Sequence, residues 1–299
     1  MLKLIALFLS AFFVASSAFA EDSEEEVQAE EYFDYVENGL CFAIESKYYK
    51  TAVVKNTRLK SKRVKNDGIM YQLSVPAYVY IDSVKYKVTE IGDNVFRKCK
   101  NLESIEIAKG ITRINAAAFA YCDNLRSVIL PDSLEWIGEQ AFMGDSLLER
   151  IALPNSLKFL GYEAFNGCSK LDTVAIPALV GEFGPSVFVG CSNLKAVLVD
   201  SANAEMCSAD GRLYTKDMST LICCPDGDTT AFVIPQTLTK IRWQFTESKL
   251  NCVRCMSSVP PMGDFKDSGK LKLPLFVPRR SVMAYKQDIY WSRFDIHPY

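Results

Sequence analysis

Apolar residues recur along the middle of this 299-residue chain at a fixed step of 23. Phe96, Phe119, Phe142, Phe165 and Phe188 keep that step through four consecutive intervals. Leu102, Leu125, Leu148, Leu171 and Leu194 move with them, as do Ile105, Val128, Ile151, Val174 and Val197. Ile107, Leu130, Leu153, Ile176 and Val199 form another row, and Ile91, Ile114, Ile137, Leu160 and Phe183 one more. A fixed period of this length predicts a solenoid. One coil cannot bury its own apolar face, and stacking the coils does so.

The pattern inside one repeat predicts its elements. In Leu125–Phe142, Val128 and Leu130 alternate with Ser127 and Ile129. Period two means a short strand with one face in the core. Pro131, Pro154 and Pro177 follow their strands, and a proline lacks the N–H that a ladder needs. Leu134 and Ile137 return to the core, Gly138 and Gly161 permit a tight bend, and the Ala-Phe pair suits one short helical turn. The expected coil has a strand side and a more helical, convex side. The strands are expected to join one parallel sheet at about 4.8 Å spacing, with the phenylalanines stacked in the core.

The flanks break the period. Leu40–Ile44, Thr51–Val54 and Tyr71–Val75 read as strands of a β-rich N-terminal cap over residues 39–87, ahead of five repeats in 88–199. Residues 200–235 read as an inserted hairpin region, in which Gly211–Thr215 pairs with Met218–Ile222 across Lys216-Asp217. Phe232–Pro235, Leu238, Ile241 and Phe245 resume a shortened repeat, Leu250, Val253 and Cys255 supply its next strand, and residues 236–299 form a divergent repeat and C-terminal cap.

Composition narrows the function. Residues 1–20 read as a secretory signal: Lys3 precedes an apolar run from Leu4 to Ala15, and Ala18-Phe-Ala20 is a small-x-small cleavage site. The expected product is exported, whether secreted, periplasmic or surface-associated, and no later stretch is long and apolar enough for a transmembrane helix. Residues 21–38 form an acidic leader that repels itself. Lys47, Lys50, Lys55, Arg58, Lys60, Lys62, Arg63 and Lys65 then form a basic stretch, read either as a solvated hairpin loop or as a polyanion contact. The formal charge of −2 becomes about −3 once Lys3 is removed, which argues against nucleic-acid binding.

Chemistry finds little support. His297 is the one histidine, third from the end of the sequence, so a histidine-based triad or metal site is poorly supported. No phosphate-binding glycine loop is present, and no cofactor is expected. Cys99, Cys122, Cys168 and Cys191 share one repeat position, with Asp145 in the middle coil, and are expected to form a column of buried thiols. Cys252-Val-Arg-Cys255 has C-x-x-C spacing, but on a strand Cys252 faces opposite to Cys255. Pairing among Cys207, Cys223 and Cys224 stays open.

The string L-x-x-[VI]-x-[IL]-P-x-S-L-x-x-I-G-x-x-A-F-x-x-C resembles the BspA-type leucine-rich repeat of exported and surface proteins of Bacteroidetes. Tyr86–Phe96, Asp210–Asp217 and Leu275–Phe294 resemble its entry coil, inserted hairpin and C-terminal end. The resemblance implies a leucine-rich-repeat solenoid, a β-rich α/β fold, in a non-enzymatic protein of adhesion or recognition. The strands' outward residues are the candidate ligand-binding positions: Ser104, Glu106, Ser127, Ile129, Arg150, Ala152, Thr173, Ala175, Ala196 and Leu198. They combine a small-to-apolar stripe with a polar row centred on Arg150 and are expected to take a protein or glycan. Alternatives are a structural component of an envelope assembly, or a thiol-redox protein using Cys252 and Cys255.

Overall fold

The 23-residue step becomes a physical stack in the phenylalanine row. Consecutive rings from Phe96 to Phe188 lie with centroids 5.0, 5.1, 5.3 and 5.8 Å apart and planes within 14° of parallel. All five side chains are fully buried. The computed structural model describes residues 35–37, 40–57, 71–243, 245, 248–263 and 269–299, which lie in one unit, Phe33–Tyr299. The signal segment, the acidic leader before Tyr35 and the stretch 58–70 lie outside the described residues.

The predicted alternation holds on the strand side, where Ile105, Val128, Ile151, Val174 and Val197 all point inward. The expected single parallel sheet, however, is two. Tyr71–Val75, Leu102–Ile107 and Ser127–Ile129 form one, and Thr173–Ile176 with Ala196–Val199 the other. Arg150–Ala152 lies between them outside any strand. Proline accounts for the weakness. At one register position the Ala108 N–H donates to the Val75 carbonyl at 3.1 Å, and the Asp200 N–H to Ile176 at 3.0 Å. The equivalent residues in the three intervening coils are Pro131, Pro154 and Pro177, which have no N–H to donate. The sheet parts in the middle of those missing rungs.

The second side of each coil departs from the expected helical turn. Arg113–Ile114, Trp136–Ile137, Phe159–Leu160 and Glu182–Phe183 form another parallel ladder, continuous with Val84–Ile91. The Ala-Phe turn that follows is not helical. Asn94, Ala117, Gln140, Glu163 and Ser186 all hold φ between 50° and 58°. Lys98, Tyr121, Gly144, Gly167 and Gly190, four residues later in each coil, hold φ between 60° and 76°. Two left-handed residues per turn interrupt any right-handed helix. The backbone then bonds between coils: the N–H groups of Phe96, Phe119, Phe142 and Phe165 donate to Ala118, Ala141, Ala164 and Val187.

Gly138 and Gly161 serve a purpose other than bending. Neither has a left-handed φ. A Cβ on Gly161 would lie 2.5 Å from both the Gly138 carbonyl carbon and the Glu139 nitrogen, so glycine is required for the coils to approach.

Both ends of the stack are closed by other elements. At the N-terminal end, Leu40–Ser46 pairs antiparallel with Thr51–Thr57, which runs parallel to Val84–Ile91, while Tyr78–Ile81 pairs antiparallel with Val84–Ile91. After the fifth coil, Met206–Ala209, Arg212–Thr215 and Thr220–Cys223 form an antiparallel meander. Buried Arg212 forms an ion pair with Asp228 there. Ala231–Ile234, Cys252–Cys255, Pro274–Val277 and Asp295–Pro298 then make a parallel sheet. The helix Val282–Gln287 and the buried Tyr285, Tyr290 and Trp291 cover its last coils, with Trp291 Nε1 donating to the Pro261 carbonyl at 2.6 Å.

Candidate functional site

Strand alternation positions the surface. Because the inward residues are locked into the core, the residues between them must face out. Glu106, Ser127, Ile129, Arg150, Ala152, Thr173, Ala175 and Leu198 are exposed, and Ser104 and Ala196 are half-buried. Register places Ser104 beside Ser127 and Glu106 beside Ile129, then Thr173 beside Ala196 and Ala175 beside Leu198. Arg150 and Ala152 lie in the coil between the two sheets. Ile129 is 57% and Leu198 49% exposed, large values for apolar side chains in strands.

Two features of this face were not singled out in the sequence. Gln72 and Ser74 extend it by pairing with Ser104 and Glu106. With Ser127 and Ile129 they line a shallow depression of about 350 Å³. At the other end, the tip of the meander abuts the face: the Gly211 carbonyl accepts the Val197 N–H at 2.8 Å, beside Ala196.

The C-terminal sheet has its own outward row, also missed. Register sets Val233, Arg254, Phe276 and His297 side by side. The alternation in Phe232-Val-Ile234 and Val253-Arg-Cys255 was the available signal. The row opens into a cleft of about 410 Å³ lined by Val233, Arg254, Met256, Phe276, Pro298 and Tyr299.

The thiols are arranged as core. Cys99, Cys122, Cys168 and Cys191 are buried in one column. The Cys122, Cys168 and Cys191 thiols donate to the carbonyls of Phe96, Phe142 and Phe165 at 3.0–3.1 Å. Burial pushes the Cys168 and Cys191 thiols well above their ordinary range. Cys252 and Cys255 are free thiols that face opposite sides of their strand. The Cys255 thiol is raised by burial and accepts the Tyr285 hydroxyl at 2.9 Å. A redox thiol requires a depressed pKa, and that of Cys255 is shifted the opposite way. Cys207, Cys223 and Cys224 form no disulfide. Cys207 donates instead to the Thr215 carbonyl, and Cys223 and Cys224 are buried thiols, the latter pushed up to about 12 by burial. His297 is bonded to Asp295 at 2.9 Å on the exposed last strand. Among the described residues no group of three His, Cys, Asp or Glu side chains could hold a metal ion.

Of the basic stretch, Lys47, Lys50 and Lys55 are described and exposed, whereas Arg58, Lys60, Lys62, Arg63 and Lys65 lie outside the described residues. The described lysines have aromatic company. Tyr48 and Tyr49 are 86% and 76% exposed at the turn between Lys47 and Lys50. The Lys87 N–H donates to the Lys50 carbonyl, and Lys87 and Lys85 pair with Tyr78 and Tyr80 on the next strand. The Lys85 ammonium sits 3.9 Å above the Tyr78 ring.

Known proteins share this architecture. No curated protein matches the chain by sequence. The solved structure of the pneumococcal vaccine antigen PcpA superposes with a TM-score of 0.64 at 21% identity, covering 82% of this chain and 70% of that one. A leucine-rich-repeat protein from Eubacterium ventriosum gives 0.64 at 19%, covering 83% and 66%. One from Bacteroides ovatus gives 0.57 at 22%, covering 82% and 71%. At such identities the likeness is one of fold. Among the described residues no helix is long and apolar enough to cross a membrane. A family model described as the BspA type leucine rich repeat region matches residues 81–206 in 6 copies. This region, residues 81–206, therefore carries the BspA-type leucine-rich repeat, stacked here as a solenoid of parallel strands.

Proposed function

We propose that this is an exported, non-enzymatic recognition protein that binds a protein or glycan ligand on its strand face, in adhesion or cell contact. The observation that carries the reading is the exposure of Ile129 and Leu198, with Arg150, on a regular face whose inward residues are all buried. Apolar groups held in water by rigid strands gain free energy when a partner covers them. Such faces are where solenoids commonly bind. The division into a signal at 1–20, a leader at 21–38, a cap at 39–87, repeats at 88–199, a hairpin region at 200–235 and a closing segment at 236–299 belongs to the same proposal.

The test is a binding screen on glycan and extracellular-matrix arrays, repeated with Arg150→Glu combined with Ala175→Arg. Loss of a hit with unchanged circular dichroism supports the face. Equal binding by the double variant removes it. Silence on every array shifts the reading to a structural part of an envelope assembly.

A second reading has its own observation. Exposed Tyr48, Tyr49, Tyr78 and Tyr80 beside Lys47, Lys50, Lys85 and Lys87 favour a sulfated or uronic glycan at the N-terminal end. That contact would include Lys55 and extend the polyanion site expected at Arg58, Lys60, Lys62 and Arg63. Its mark is a hit that disappears in salt, since exposed charges are screened at high ionic strength.

A further inference from the structure

The C-terminal cleft combines apolar walls with one cation, Arg254, that has no acidic partner among the described residues. Val233, Arg254 and Phe276 are neighbours in register, so their side chains stand on adjacent strands about 4.8 Å apart. The Arg254 guanidinium carbon lies 5.7 Å from the Phe276 ring centroid. Stacking on the ring restrains the guanidinium, and a planar, always-charged fork of this kind suits a carboxylate. Among the described residues no carboxylate lies within ion-pair distance of Arg254. Asp295, on the last strand of the same sheet, is instead occupied by His297.

The surroundings define the rest of the ligand. Val233 and Met256 are 53% and 57% exposed at the cleft, so apolar surface waits uncovered beside the cation. Phe276 and Tyr299 add two aromatic walls. The volume of about 410 Å³ is near the lower end of the range of roughly 300–1,000 Å³ used by small-molecule sites. We propose that this cleft binds a small aromatic carboxylate, its carboxylate bidentate on Arg254 and its ring packed among Val233, Met256 and Phe276. The site is separate from the strand face of the repeats and does not depend on that reading.

The test uses three probes of similar size in amide-resolved NMR titrations of the protein: 3-phenylpropionate, 3-phenylpropan-1-ol and 2-phenylethylamine. The expected result is binding of the acid at least about tenfold tighter than the alcohol and tighter still than the amine, because a charge-assisted pair is the stronger bond. Shifts should centre on residues 233, 254 and 276. Arg254→Gln should abolish the preference for the acid over the alcohol, and Phe276→Ala should weaken acid and alcohol alike. Arg254 is exposed and outside the core, so its variant should keep the wild-type spectrum elsewhere. Equal affinity for acid and amine, an unchanged preference in Arg254→Gln, or shifts confined to other regions would overturn the proposal.

Discussion

Asp145 Oδ1 accepts the backbone N–H of Cys122 at 2.8 Å, with both residues fully buried. The carboxylate sits in a column otherwise made of cysteines, and among the described residues its Oδ2 has no hydrogen-bond partner. Burial holds the Asp145 carboxyl well above the usual carboxylate range; the Cys122 N–H draws it partly back, and the charge of Asp123 pushes it up. The folded protein therefore binds this proton more tightly than the unfolded chain does.

A pH dependence follows from that sign. Asp145's contribution to stability is fully present below the unfolded value of about 4 and is lost as pH rises through the raised folded pKa. The Tm of Asp145→Asn relative to that of the native protein should therefore rise with pH across this window, because the variant lacks this group's titration. Asp145→Cys, which restores the column, should raise stability at neutral pH by about 1–3 kcal/mol, the usual cost of a buried unsatisfied group. Denaturant unfolding measures it, and a loss of stability would contradict the account.

Phe142 is the middle ring of the stack, with a ring on each side. Phe142→Ala should destabilise by about 3–5 kcal/mol through lost transfer energy and a cavity bounded by two neighbouring coils. Chemical denaturation followed by far-ultraviolet circular dichroism would show it. A change below about 1 kcal/mol would mean the coils collapse around the gap.

Gly161→Ala tests the close approach of coils. Its Cβ would meet backbone atoms, which cannot rotate away. A loss of about 1–3 kcal/mol is expected, the range for overpacking. Gly181→Ala is the control, because a Cβ there meets nothing within 4 Å.

The exposed stripe should be nearly silent in folding. Ile129→Arg and Leu198→Arg are expected to change stability by no more than about 0.5 kcal/mol, as surface substitutions do. Binding to any ligand of the strand face should fall with either. A large loss of stability would mean the protein itself covers these side chains.

Thiol chemistry gives a count. Only Cys207 and Cys252 are partly exposed, and the other eight cysteines are buried. Ellman's reagent should label at most these two in the native state and the remainder on unfolding. A third thiol reacting rapidly in the native protein would reopen the thiol-enzyme reading.

The repeat was legible because the solenoid imposes the same environment once per coil. Phe96 through Phe188 must all be large and apolar, and Ile105 through Val197 must all point inward, so identity and spacing report burial directly. The outward set, Ser104 to Leu198, followed by elimination from that alternation. Asp145 was legible as the odd member of the thiol column, whereas its protonation depends on desolvation by coils on both sides.

Other features depend on neighbours that no single repeat contains. The sheet parts near Arg150 because three prolines remove successive inter-coil bonds. The Ala-Phe turn is not helical because Gln140 and Gly144 are left-handed and the Phe142 N–H bonds to the next coil. The period alone determined that coils stack, what fills them and which strand residues face out. Tertiary structure decided where the sheet is continuous, why glycine is needed at Gly161, and which distant residues meet. Val233, Arg254 and Phe276 lie 21 and 22 residues apart in a region that breaks the 23-residue step. Only the register of their strands brings them to one cleft, because hydrogen bonding between strands, not spacing along the chain, sets which side chains are neighbours.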